Sequence, residues 1–287
     1  MLNRSFSLIK RVALRSPSPV LALAGTYWDY MQFARRMREA KVPEVESEVE
    51  RQYLEQLNAE GICIVEGFWD AQTCANARSE IERIVQQHPD YLHASAKADM
   101  RIYGANNASS LIDAFAQHPG LKRVASVYNR EPTRTAFTLA AKMPASSGNQ
   151  GSGEGWHRDA FLRQFKAILY LSDVELVNGP FQFIKDSYKS GQVLRDIWKG
   201  RLQYMQYRLS EEDVSYILRG SPGRLNTYTA KAGTLLLVDT SSIHRGMPIQ
   251  EGTRYALTNY YFPEKNIDAA MFEKFNVLPP SVALAAT

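Results

Sequence analysis

Three residues in the C-terminal half have the side chains needed to bind a divalent metal. His157 and Asp159 form a His-x-Asp pair, and His244 follows much later in the chain. Two imidazoles and one carboxylate on one face of an octahedron leave open positions, the arrangement typical of non-haem iron(II) oxygenases that also bind O2. We expect His157 and Asp159 to share one face of a strand, because alternate side chains point the same way, and a distant strand to supply His244. The set predicts an iron(II) site.

Arg254, at the start of the last predicted strand, is the candidate for binding a cosubstrate. A planar guanidinium can bind both oxygens of a carboxylate, which suits the distal carboxylate of 2-oxoglutarate. Aromatic residues on strands usually belong to the core, and lysines usually lie on the surface, so the pocket residues are weaker candidates. They are Trp156, Tyr170, Phe181 and Lys142.

Positive charge and a glycine-rich loop lie beside the His-x-Asp pair. Arg158, Arg163 and Lys166 either favour an anionic substrate or belong to an exposed face. The loop 144–155 leads into a strand and not into a helix N-terminus. We therefore interpret it as a mobile flap over the site, and not as a phosphate-binding loop.

The other histidines and the two cysteines fit structural roles. His88, His93 and His118 lie in the helical half, in polar context or beside prolines, and are interpreted as surface or capping groups. Cys63 and Cys74 fit apolar patterns and are expected to be buried, reduced thiols.

The elements that must position these residues change in type along the chain. Helices are expected first, at 46–59, at 71–87 with Asp70 as N-cap, and at 110–128 with a break near Pro119. Short strands follow, expected at 62–65, 134–143, 165–172, 181–184, 224–229, 234–239 and 254–262. Connections too short for crossover helices exclude a parallel βαβ array. The order predicts a mainly β protein, a double-stranded β-helix (jelly roll, cupin-like) behind a helical N-terminal layer.

The expected domain organisation is a basic extension followed by one domain. The extension covers residues 1–45, the domain 46–287, and the jelly-roll core about 133–265. An insertion at about 186–230, with a helix over 207–219, is expected to form a lid or a wall of the substrate site. Ser210 and Asp213 form a candidate capping box there.

Charge is distributed unevenly along the chain. The 45% hydrophobic and 22% charged composition is that of a globular protein. Residues 1–41 contain eight basic and two acidic residues, so the rest of the chain has a net charge of −2 within the total of +4. A near-neutral body argues against nucleic acid as a partner. The basic, aromatic N-terminus fits a loosely docked extension, peripheral membrane contact or an organellar targeting segment, and no run is long enough to span a bilayer.

With these motifs in place, the chain resembles the phytanoyl-CoA dioxygenase-like family of iron/2-oxoglutarate oxygenases over roughly residues 50–265. The matching stretches are 61–68, Trp156-His157-Arg158-Asp159, Asn178-Gly179-Pro180-Phe181, 232–234, His244-Arg245-Gly246 and Arg254. The resemblance implies a double-stranded β-helix, iron bound by His157, Asp159 and His244, and 2-oxoglutarate bound by Arg254. One stretch departs from the family, since 185–189 replaces the usual Pro-Gly-Ser-His. The retained Asp159 argues against the halogenase branch, which has a small residue there.

The sequence therefore predicts an iron(II)- and 2-oxoglutarate-dependent hydroxylase that uses O2, is stimulated by ascorbate, and releases succinate and CO2. The substrate is expected to be a small or lipid-linked molecule, and the location the cytoplasm, with membrane association or organellar targeting as alternatives. The competing hypothesis is a non-catalytic, cupin-like protein that binds a metal or another ligand. The sequence predicts neither the oligomeric state nor the identity of the substrate.

Overall fold

A computed structural model describes residues 18–39, 44–94 and 99–280 of the chain. The helices in chain order are α1 (Pro19–Glu39), α2 (Glu48–Glu60), α3 (Ala71–Gln87), α4 (Ser110–Ala116), α5 (Pro119–Asn129), α6 (Ser190–Gly200), α7 (Glu211–Leu218) and α8 (Ala269–Lys274). The strands are β1 (Ile62–Val65), β2 (His93–Ala94), β3 (Met100–Tyr103), β4 (Thr133–Pro144), β5 (Phe165–Tyr170), β6 (Phe181–Ile184), β7 (Leu225–Tyr228), β8 (Leu235–Asp239), β9 (His244–Gly246) and β10 (Thr253–Pro263).

The strands form two antiparallel sheets. The larger sheet has the order β1-β8-β5-β10-β4-β3-β2, and the smaller one the order β7-β6-β9. Neighbours that are remote in sequence, such as β8 and β5, arise because the chain crosses between the sheets. This arrangement is a jelly roll, and it confirms the predicted fold class.

Side chains alternate in direction along β5, so that one face of the strand packs in the core and the other faces the cavity. On β5, Phe165, Ala167 and Leu169 pack against the helices that cover one face of the larger sheet. Lys166 and Ile168 point the other way, into the cavity between the sheets. The period of two therefore assigns one face of β5 to the core and the other to the site.

The helical layer consists of α2 to α5 and confirms the predicted N-terminal helices. Ser47 caps α2, and the Asp70 carboxylate accepts from the Thr73 N–H at 2.6 Å at the start of α3. The predicted break near Pro119 separates α4 from α5, and His118 caps α5 by accepting from the Leu121 N–H at 3.3 Å. The capping role predicted for His118 is confirmed.

The insertion forms a separate layer with α1. Val193 and Ile197 of α6 pack in one apolar cluster with Ala22 of α1. A buried ion pair anchors the insertion, because both guanidinium Nη atoms of Arg224 lie 2.9 Å from the Asp196 carboxylate oxygens. The predicted capping box at 210–213 is present at the start of α7.

The predicted N-terminal extension lies partly outside the described residues, which omit 1–17 and 40–43. Its described part is α1, which the sequence analysis did not predict. The Tyr30 hydroxyl of α1 donates to the Phe161 carbonyl at 3.0 Å, so this helix is attached to the domain. Among the described helices, none is long and apolar enough to cross a bilayer.

Candidate metal centre

His157, Asp159 and His244 meet at one end of the space between the sheets. One ligand atom from each lies within 4.8 Å of the others. His157 and His244 form an antiparallel bridge in which each N–H donates to the other's carbonyl at 2.9 Å, and their ring centroids are 4.3 Å apart. The chain therefore brings the two imidazoles together by backbone pairing.

The expectation that His157 and Asp159 share a regular strand is wrong. His157 lies on an isolated bridge and Asp159 in a bend. The Asp159 N–H instead donates to the Thr240 carbonyl at 2.9 Å, and the intervening Arg158 N–H to the Tyr207 carbonyl at 2.8 Å. Contacts with two other segments fix this part of the chain in place of a strand ladder.

Both imidazoles are held in the tautomer that a metal requires. The Nδ1 atom of His157 lies 2.9 Å from the Gly155 carbonyl, and Nδ1 of His244 lies 2.9 Å from the Ser242 carbonyl. A carbonyl only accepts, so each Nδ1 has the proton and each Nε2 presents a lone pair. Such bonds are typical of histidines that bind metals.

Burial and neighbouring charges keep the donor atoms unprotonated. Burial, with the adjacent His157, lowers the pKa of His244 to about 3, and burial also lowers the pKa of His157. Burial alone would raise the pKa of Asp159, but Lys166 and the two imidazoles outweigh it and hold that pKa below its usual value. Two neutral imidazoles and one carboxylate are the protonation states that a divalent metal binds.

Gly153 allows the flap loop to pass directly over the first imidazole. Its φ is +84°, and a Cβ atom at this position would lie 2.1 Å from the His157 ring. The Arg208 guanidinium donates to the Gly153 carbonyl and, at 3.2 Å, to the Glu154 carbonyl. The loop is therefore attached to the site, and only glycine fits at residue 153.

Lys166, which the sequence analysis named only as local positive charge or part of an exposed face, is a buried neighbour of the site. Its Nζ lies 2.8 Å from Asp159 Oδ2, and the residue is 5% exposed. Arg158 and Arg163 point elsewhere, donating to backbone carbonyls of Ser187, Ser241 and Tyr128. Of the three cations grouped by sequence, Lys166 is the one that lines the cavity.

Arg254 lies in the same cavity and is 4% exposed. Its Nη2 approaches Met143 Sδ at 3.0 Å, and its buried Nε has no hydrogen-bond partner among the residues that the structure describes. Within residues 18–39, 44–94 and 99–280, no carboxylate forms an ion pair with Arg254. Tyr170, whose hydroxyl accepts from the Phe181 N–H at 3.0 Å, packs beside the guanidinium.

The cavity around these residues has a volume of about 620 Å³. Tyr170 and Phe181 line it, as the sequence analysis expected of pocket residues. Lys142 does not, because Ala141 and Met143 face the cavity from β4 and Lys142 between them points outward. Its Nζ is paired there with Glu82 at 2.8 Å.

Trp156 also lies outside the cavity, so its placement in the pocket is corrected. The indole is buried in the cluster formed with α6 and α7, and its N–H donates to Glu211 at 3.2 Å. The Arg245 guanidinium stacks 4.2 Å from the ring centroid. Because Trp156 directly precedes His157, its side chain points to the opposite side of the backbone from the imidazole.

The wall of the cavity differs from the one expected. Of the 186–230 segment, only Arg208 lines the cavity, whereas α6 and α7 pack in the cluster that contains Ala22 of α1, and residues 225–228 form β7 of the smaller sheet. Residues after β10 supply the wall instead, namely Asn266, Asp268, Ala270, Met271, Lys274 and Phe275. Asp99 and Arg101, which also line the cavity, form an ion pair, and Ser152 donates to Asp99 at 3.1 Å.

This arrangement fits an iron ion and a 2-oxo acid. The two free imidazole nitrogens and the Asp159 carboxylate form a 2-His-1-carboxylate set. The unpaired Arg254 guanidinium in the same cavity suits a carboxylate. His157, Asp159 and His244 are therefore placed so that they could hold a metal, and Arg254 so that it could hold a carboxylate.

Known proteins share this architecture. The chain is 22% identical to ectoine dioxygenase from Bordetella bronchiseptica over 203 residues, which are 64% of this chain and 66% of that protein. The match thus spans just under two thirds of that relative's length. The iron-bound structure of EctD from S. alaskensis aligns with a TM-score of 0.58 at 16% identity, over 79% of this chain and 82% of that one.

Two further structures have the same fold. HygX from Streptomyces hygroscopicus, with nickel and 2-oxoglutarate bound, aligns with a TM-score of 0.53 at 16% identity, over 75% of this chain and 87% of that one. The epimerase SnoN from nogalamycin biosynthesis aligns with a TM-score of 0.57 at 16% identity, over 81% and 90%. The model of the phytanoyl-CoA dioxygenase (PhyH) family matches residues 57–250, from α2 through both imidazoles. The chain therefore belongs to the phytanoyl-CoA dioxygenase family.

Proposed function

We propose that this protein is an iron(II)- and 2-oxoglutarate-dependent dioxygenase that hydroxylates a C–H bond of a small molecule. His157, Asp159 and His244 hold the metal, and Arg254 holds the distal carboxylate of 2-oxoglutarate. The reaction consumes O2, places one oxygen atom in the product and the other in succinate, and releases CO2. When bound, iron(II) supplies the redox chemistry that reduces O2.

The observation that best supports this proposal is the burial of Arg254 without a counter-ion from the described part of the chain. Leaving a buried charge without a counter-ion destabilises a protein by several kcal/mol, commonly about 3–5 kcal/mol. An anionic ligand that pairs with the buried guanidinium would offset this cost. Arg254 shares its cavity with three residues that can bind a metal. One carboxylate of 2-oxoglutarate can pair with Arg254, and its 2-oxo acid group can bind the metal.

The chain's own residues orient the reactants and limit the access of water. Arg254 fixes one end of the cosubstrate, and Tyr170 packs beside the guanidinium. Gly153 and the rest of the flap cover His157 from outside. The primary substrate then has the space between the metal ligands and the wall formed by Met271 and Phe275.

The test is succinate formation by the full chain with iron(II), ascorbate and 2-oxoglutarate, screened against fractionated metabolites. A substrate should accelerate succinate formation, and His157→Ala and Asp159→Ala should abolish the acceleration. His88→Ala, at the C-terminal end of α3, is the matched control and should retain it. A wild-type protein that binds iron but forms no succinate with any fraction would favour the non-catalytic alternative.

We also propose peripheral contact with an anionic membrane surface through α1. Val20, Tyr27 and Met31 are exposed along one side of this helix, which ends with Arg36 and Arg38 in its last turn. Apolar groups beside basic ones suit a headgroup region. Flotation with vesicles of phosphatidylcholine alone, or with phosphatidylglycerol added, tests this. Binding should need the anionic lipid and should be lost in Tyr27→Glu/Met31→Glu.

A further inference from the structure

Lys166 approaches the site from a different strand than any proposed metal ligand. Its Nζ lies 2.8 Å from Asp159 Oδ2, and that oxygen lies 3.5 Å from His244 Nε2. The other oxygen, Oδ1, lies 3.9 Å from His157 Nε2. The carboxylate thus has one oxygen towards each imidazole, and an ammonium contacts one of the two.

From this geometry we propose that Lys166 is a positioning residue that keeps the Asp159 carboxylate turned towards both imidazoles. The inference rests on the proposed metal-binding function of the three residues. A regular strand would fix the direction of Cα–Cβ at residue 159, but the chain forms a bend there. Backbone hydrogen bonding to Thr240 fixes the main chain, and rotation of the side chain is limited by Lys166.

Lys166 is itself held rigidly enough for this task. It lies on β5, in the middle of the larger sheet, and pairs with Val238 on one side and Tyr260 on the other. Its Nζ lies 3.8 Å from the centroid of the Tyr260 ring. A buried ammonium over an aromatic face gains a cation–π interaction, which restrains a side chain that is otherwise flexible.

The sign of the effect on metal affinity distinguishes positioning from charge alone. A cation that does no more than neutralise Asp159 repels an incoming metal ion, so its removal would raise the affinity for a divalent cation. A cation that orients the ligand has the opposite effect, because its removal lets the carboxylate turn away. Groups that orient metal ligands typically contribute about 10–100-fold in affinity.

The test uses cobalt(II) as the probe, with isothermal titration calorimetry and the visible absorption of the bound ion as readouts. Lys166→Met should weaken cobalt(II) binding about 10–100-fold and change the absorption spectrum. Lys166→Arg keeps a donor to the carboxylate and should restore part of the affinity. Unchanged or tighter binding by Lys166→Met would overturn the proposal.

Two further variants keep the result interpretable. Lys142→Met removes an ion-paired lysine from the outward face of β4 and should leave cobalt(II) binding unchanged. If Lys166→Met does not fold, Tyr260→Leu decides, since loss of the ring should weaken cobalt(II) binding severalfold and unchanged binding would contradict the proposal. Failure of the wild-type protein to bind cobalt(II) would instead refute the proposed metal site, so the two failures are distinguishable.

Discussion

At the scale of single residues, the site contains two buried cations with opposite surroundings. Lys166 is 2.8 Å from a carboxylate oxygen of Asp159, whereas Arg254 has Met143 and Tyr170 beside it. The charge of Lys166 is neutralised by Asp159, whereas the charge of Arg254 would be neutralised by an anionic ligand. The two residues are therefore expected to respond differently to substitution.

Replacing Arg254 should selectively weaken the binding of 2-oxoglutarate. Arg254→Gln removes a charge-assisted pair worth about 1.5–3 kcal/mol, which is a loss of about 10–100-fold in affinity. Calorimetric titration of the metal-loaded protein with 2-oxoglutarate measures it. Arg195→Gln, at an exposed position on α6, is the control and should bind normally. Equal affinity for all three proteins would place the cosubstrate elsewhere.

Gly153 and Gly148 form a matched pair for testing the flap. Both have positive φ, at +84° and +75°, but a Cβ at Gly148 meets nothing within 4 Å. Each change to alanine should cost about 1–2 kcal/mol of stability from backbone strain. Gly153→Ala should in addition weaken cobalt(II) binding at least about tenfold by displacing the His157 ring. Equal cobalt(II) affinity in the two variants would show that the ring adjusts without loss.

The chemistry of side chains predicted the residues that meet in the site, but not all of their neighbours. His157, Asp159, His244 and Arg254 stand out in the sequence because their functional groups match one reaction. Lys142 was assigned to the pocket because a sequence does not show which face of a strand points inward. Lys166 lies between apolar residues of β5 just as Lys142 lies between apolar residues of β4, so this pattern does not show that only Lys166 points into the cavity.

At the scale of elements, an ion pair joins two helices of the layer that covers the larger sheet. Arg123 on α5 contacts Glu50 on α2, with Nη2 2.6 Å from Oε1 and Nε 3.1 Å from the same oxygen. The hydrogen bonds from Arg123 lower the pKa of Glu50, whose side chain is 7% exposed. Such a pair is sensitive to the loss of either partner.

Arg123→Ala should lower the free energy of unfolding by about 1–3 kcal/mol at pH 7. Because the folded-state pKa of Glu50 is lowered, the pair contributes above the unfolded-state pKa of about 4.3 and is lost as pH falls through the folded-state value. Urea unfolding of both proteins at pH 7 and pH 4 measures this. The difference between them should shrink at the lower pH. A constant difference would mean that Arg123 contributes by packing alone.

The sequence predicted elements well where local signals mark both ends. The predicted cap at Asp70 and the predicted break near Pro119 correspond to the observed ends of helices. Helices α1 and α6 were missed, because their apolar residues become buried only in a cluster that includes remote residues such as Trp156 and Ile243. That packing is a tertiary contact with no local signature.

At the scale of the whole molecule, ligand binding should be coupled to stability. The proposed metal ligands come from segments that only the folded jelly roll brings together, so we expect metal and cosubstrate to bind the native state alone. At 100 times the dissociation constant, a ligand stabilises by about 2.7 kcal/mol. For a domain of this size that corresponds to a rise in Tm of about 5–10 °C.

Differential scanning calorimetry with EDTA, with cobalt(II), and with cobalt(II) plus 2-oxoglutarate measures this coupling. Tm should rise in two steps in the wild-type protein. His157→Ala should show neither step, and Arg254→Gln should show the first step alone. A second step in Arg254→Gln would argue that 2-oxoglutarate is bound without the guanidinium.

The family motifs predicted the overall architecture, whereas the wall of the cavity could not be predicted. The insertion at 186–230 was expected to form it because long insertions often cover a site. The segment after β10 forms it instead, held by Phe275 against Tyr103 and by the Leu278 N–H, which donates to the Tyr103 carbonyl at 2.8 Å. Such contacts connect parts of the chain that are remote from each other, and no pattern within either part indicates them.

The position of this wall affects how the protein is made and handled. The ribosome delivers His157, Asp159 and His244 well before Met271 and Phe275. A nascent or prematurely terminated chain that ends near residue 263 would therefore contain every proposed iron ligand, but one side of the cavity would be open to water. Insertions and fusion junctions are better placed outside residues 264–275, since a disturbance within them would open this side of the cavity.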